Sequence, residues 1–160
     1  MNRSARARRL PVIISIVIAL MLMIAPLPDW MAALRPDWLT LTLIYWAMWL
    51  PRSWSVGTAW LVGLVLDVAQ GTLLGQHALA LCCVVFVTVR LHLLMRVFPM
   101  SQLTATVFSL LAMYQFILFW INGVSGIPVP AISYWAPVIS GAIFWPVVTM
   151  LLNGTRMRAQ

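Results

Sequence analysis

Six apolar stretches follow one another along this chain with hardly a polar loop between them, and that succession constrains the fold more than any other feature. They run Leu10–Leu27, Trp38–Leu50, Ser53–Gly71, His77–Met95, Leu103–Ile121 and Ile132–Leu152. Apolar character continues around each segment instead of forming a single stripe, which favours spanning helices over helices lying in the interface. A helix of about 20 residues crosses the hydrocarbon core. At 63% hydrophobic and 8% charged, a soluble chain of 160 residues has no way to hide so much apolar surface, whereas lipid solvates it. The expected fold is an all-α membrane protein with six transmembrane helices. Residues 1–9 form a basic cytoplasmic tail, 10–152 the transmembrane domain and 153–160 a second cytoplasmic tail.

The second segment is short, thirteen residues between Pro36 and Pro51, and a re-entrant hairpin arm is the alternative. Charge decides the count. All ten cations are Arg and all three anions are Asp. With six spans and an inner N-terminus, the inner ends hold Arg3, Arg6, Arg8, Arg9, Arg52, Arg90, Arg96, Arg156 and Arg158, and the outer side holds Arg35 alone. Nine against one is a strong positive-inside bias. If the second segment failed to span, Arg90, Arg96, Arg156 and Arg158 would move outside. Both termini are therefore expected on the cytoplasmic side of the membrane. The first apolar stretch is long for a signal peptide and lacks an A-x-A site, so it is expected to be retained. The formal charge of +7 sits at segment ends without interleaved aromatics and points to topology and anionic lipid rather than nucleic acid.

Chemistry is sparse. No Glu exists for an H-E-x-x-H site, two His and two Cys have no metal-ligand spacing, and only Asp67 is embedded where an aspartyl protease needs two carboxylates. The expectation is no enzyme, no metal and no cofactor. Cys82 and Cys83 are adjacent and read as small packing residues. Asp67 is the most informative residue, because a carboxylate in an apolar span must be paired or wetted. Two readings stand: an anchor that fixes the outer end of the bundle, or a carboxylate exposed to headgroup water. Gly71 and Gly75 suit either close helix approach or a tight turn. His77 reads as a hydrogen-bonded interface residue. Asp37, just before the second helix, reads as an N-cap. Arg35 has Asp29, Asp37 and Asp67 as candidate partners. Arg90, His92 and Arg96 read as snorkelling side chains, with a cytoplasmic partner surface as the alternative.

The run Arg35-Pro36-Asp37-Trp38-Leu39-Thr40-Leu41, then Gly57 to Asp67 continuing Gly71-Thr72-Leu73-Leu74-Gly75-Gln76-His77-Ala78-Leu79, resembles the rod shape-determining membrane protein MreD family, of the proteobacterial type. The aspartate with glycines four and eight positions later is the characteristic pattern. The specific motifs cover about residues 35–80, and the last helices match in apolar character. The resemblance implies a non-enzymatic scaffold in lateral cell-wall elongation and rod shape, located in a bacterial inner (cytoplasmic) membrane. The implied partners are MreC, MreB, and the peptidoglycan polymerase RodA with its transpeptidase. It also implies a compact bundle similar to substrate-binding subunits of vitamin transporters. That likeness supplies an alternative function, binding a vitamin-like small molecule for a transporter. Oligomeric state is not legible.

Overall fold

In a computed structural model, residues 3–26, 28, 34–52, 55–129 and 133–158 are described, with backbone only for 3–9 and 158. Asp29, Trp30 and Trp54 lie outside the described residues. Six α-helices and no strand are present among the described residues. They are α1 (Arg3–Ile24), α2 (Trp38–Trp49), α3 (Val56–Gln70), α4 (Gln76–Val97), α5 (Met100–Val124) and α6 (Ala136–Arg158), the last preceded by a 3-10 turn at Ser133–Trp135. Helix starts and stops follow the punctuation of the sequence. Pro99 precedes α5, Gly71 ends α3, and Pro137 sits in the first turn of α6, where its missing N–H costs nothing. Helix α1 begins inside the basic segment, and α6 continues past Leu152 to Arg158.

The helices differ sharply in their surroundings. The segments containing α4, α5 and α6 each have the length and apolar character to cross a membrane unaided. Helix α2 does not: its 12 residues rise only about 18 Å, against a hydrocarbon core of about 30 Å. The structure places it in the interior, with every residue from Leu39 to Met48 buried. It packs against α1, α4, α5 and α6. Its fully apolar circumference is thus explained by protein on all sides rather than by lipid. Two polar ties fix it: Trp46 Nε1 donates to Ser15 Oγ on α1 at 2.8 Å, and Tyr45 Oη to Asn153 Oδ1 on α6 at 2.6 Å.

Outward faces of the other helices carry Leu10, Ile14, Val65, Phe86, Val97, Phe116, Ile143 and Met150, all exposed. So much exposed apolar surface is stable only in lipid or against a partner. Helices α3 and α4 form the closest pair. A Cβ added to Gly63 would stand 2.3 Å from Ala78 Cα, so the two backbones touch through that glycine.

Candidate functional site

Arg35, Asp37, Asp67, Gly71, Gly75 and His77 gather at one end of the bundle, where α1, α3 and α5 end and α2, α4 and α6 begin. Asp67 lies in the last turn of α3. Gly71 ends that helix at φ 64, and Gly75 starts α4 at φ 95, so both serve the turn rather than a helix–helix seam. Gly75 has no side chain with which to cap α4. Asp67, 0% exposed, supplies the cap from the preceding helix. Its Oδ2 accepts the N–H of Gly75 at 2.8 Å and of Ala78 at 3.4 Å. Its Oδ1 accepts the N–H of His77 at 3.0 Å, the Thr72 hydroxyl at 3.0 Å and His77 Nδ1 at 2.7 Å. A carboxylate is acceptor-only, so Nδ1 carries the proton of that last bond. The α4 dipole favours the negative charge at the same point.

Asp37 does for α2 what Asp67 does for α4. Buried to 7% exposure, it accepts the Thr40 N–H at 3.1 Å through Oδ1. Arg35 pairs with neither Asp37 nor Asp67. Its guanidinium reaches the carbonyls of Met23 and Ala25 at the C-terminal end of α1, where free carbonyls and the dipole both attract a cation.

Around these groups lies a cavity of about 520 Å³, lined by Arg35, Asp37, Gln76, His77, Tyr114 and Asn122 among others. Across it, Gln115 Nε2 donates to the Tyr134 carbonyl at 2.8 Å and ties α5 to the turn before α6.

At the opposite end Arg96 donates from Nε to the Met48 carbonyl and from a terminal nitrogen to the Trp49 carbonyl, both at 2.9 Å. It therefore caps the C-terminus of α2 instead of only reaching for headgroups. The Arg96 and Arg156 guanidinium carbons stand 5.1 and 3.7 Å from the Trp49 ring centroid. Arg90 is exposed, 5.4 Å over Phe86. Arg96→Gln is expected to cost about 1–3 kcal/mol, because the two α2 carbonyls lose charged donors. Arg90→Gln should stay within about 0.5 kcal/mol. Unfolding of both variants in detergent checks the difference.

Fold and site together define an all-α membrane protein whose described acidic side chains and Arg35 and Arg96 complete helix ends. The family model for rod shape-determining protein MreD matches residues 5–155. A relative from Haemophilus influenzae (strain ATCC 51907 / DSM 11121 / KW20 / Rd), named rod shape-determining protein MreD, is 27% identical over 147 residues, covering 90% of this chain and 89% of its own. No solved structure matches the chain. The chain belongs to the MreD family and is a rod shape-determining membrane protein.

Proposed function

We propose that the chain is a non-enzymatic scaffold of the cell-elongation machinery in the cytoplasmic membrane, supporting lateral peptidoglycan synthesis. Its partners are MreC and, with it, MreB and RodA with its transpeptidase. One observation carries the reading. Asp37, Asp67, Arg35 and Arg96 are all bonded to helix ends. Ionic groups used in this way stiffen the bundle, and the exposed apolar helix faces remain as its contact surface. A partner that itself spans the bilayer suits such faces.

Co-purification of tagged chain from native membranes tests the reading, with MreC recovered near stoichiometrically as the expected result. Recovery at background level would remove it. The topology is tested separately. Reporter fusions after Arg9, at Arg52, near Arg96 and after Arg158 are expected to read cytoplasmic, and one at Ser125 external. An internal signal at Ser125 contradicts the six-span arrangement.

A further inference from the structure

Capping accounts for Asp67, Arg35 and Arg96 but leaves other polar groups around the cavity unused. Gln76 is 6% exposed and makes no side-chain hydrogen bond among the described residues. His77 spends Nδ1 on Asp67, leaving Nε2. Asp37 spends Oδ1 on Thr40, and Tyr114 stands beside it. Polar side chains this deeply placed are normally satisfied by protein, water or ligand. The cavity volume, about 520 Å³, falls in the range of small-molecule sites.

We propose that this cavity is a binding site for an uncharged, hydroxyl- or amide-bearing molecule, held by Gln76, His77, Tyr114 and Asp37. Charge sets the class. Arg35 is the one Arg on the lining, and both its terminal nitrogens are given to the α1 carbonyls. Those bonds use two of its five N–H donors, and its one positive charge is matched by the one carboxylate on the lining, Asp37, so the cavity offers no surplus cation to select a phosphate or carboxylate. The same balance leaves no surplus carboxylate on the lining to select a cation. The groups on offer are the Gln76 amide, which donates and accepts, the His77 Nε2 nitrogen, and the adjoining Tyr114 hydroxyl and Asp37 carboxylate, whose remaining lone pairs accept. Hydroxyls and amides match that mixture. Leu73, Leu118 and Ile127 supply apolar wall for a ring or acyl carbon. The ligand is a free solute or the headgroup of a neutral glycolipid, since the recognised chemistry is the same. The site stands whether or not the scaffold reading does.

The test uses the full chain in phosphatidylcholine nanodiscs, because maltoside detergents carry sugar headgroups that would compete. N-acetylglucosamine is the soluble probe and monoglucosyl diacylglycerol the lipid-borne one; inorganic phosphate and methylammonium are the charged probes. A saturable rise in unfolding temperature of about 3–5 °C at about ten times the dissociation constant is expected with at least one neutral probe. Response to the soluble probe identifies a free solute, and response to the lipid alone identifies a headgroup. Gln76→Met and Tyr114→Phe should each weaken binding at least about tenfold, in line with one lost hydrogen bond to a buried group. Tyr114→Phe deletes a single oxygen and carries the test if Gln76→Met folds poorly. No response to either neutral probe, a response to a charged probe alone, or unchanged binding in a folded variant overturns the proposal.

Discussion

Asp67→Ala is expected to destabilise the protein by about 3–5 kcal/mol, the range found when one partner of a buried polar network is removed. The alanine leaves three backbone N–H groups at the start of α4 and the His77 Nδ1–H without their acceptor. Gly75 offers no substitute cap. Asp67→Asn is not a mild control here. Both carboxylate oxygens accept, so an amide turns one acceptor into donors facing N–H groups. Asn should therefore fall within about 1 kcal/mol of Ala. Unfolding in detergent measures both, and rod shape of cells carrying each variant reads the consequence. Loss below about 0.5 kcal/mol in both would return Asp67 to the status of a wetted boundary residue.

Helix number and approximate ends were legible because proline, glycine and arginine punctuate the apolar runs. Predicted Trp38–Leu50 and observed Trp38–Trp49 differ by one residue. The interior place of α2 was not legible, since a helix sheathed in protein and one sheathed in lipid have the same all-round apolar pattern. Its brevity was the available signal: a helix too short to reach both interfaces leaves carbonyls and N–H groups that need side-chain partners. Asp37 fitted the cap pattern from sequence alone. Arg35 and Arg96 were read through topology and acidic partners, whereas their acceptors are backbone carbonyls, which carry no residue signature. The same holds for Asp67, whose partners are mostly N–H groups eight to eleven residues ahead. The cavity is assembled from all the helix ends at once, and no local window of sequence contains it.

Gly71 and Gly75 suited either close helix approach or a tight turn, and the turn is what they form, so the helix seam lies elsewhere. Gly71 and Gly75 sit in open space with positive φ, while Gly63 meets Ala78. Ala59 and Gly63, four apart and both buried, were the small-x-x-x-small signal for that seam. Gly63→Ala is expected to cost about 3 kcal/mol, at the upper end for overpacking. The obstacle is not a flexible side chain: the added carbon would lie 2.3 Å from Ala78 Cα and 2.7 Å from Ala78 N. Carbon atoms settle at about 3.5–4.0 Å, so α3 and α4 must part by more than about 1 Å. The damage then spreads. Asp67 stands one turn beyond Gly63 on the same face, so parting the helices also lengthens its bonds to the α4 N–H groups. Ala78→Gly cannot rescue the variant, because the clash is with backbone atoms that glycine keeps. Gly57→Ala, in open space on the same helix, should be neutral or stabilising by about 0.5–1 kcal/mol. Thermal unfolding of the three single variants and the Gly63→Ala, Ala78→Gly double variant measures this. Rescue by Ala78→Gly, or equal behaviour of Gly57→Ala and Gly63→Ala, would show that α3 and α4 do not meet backbone to backbone.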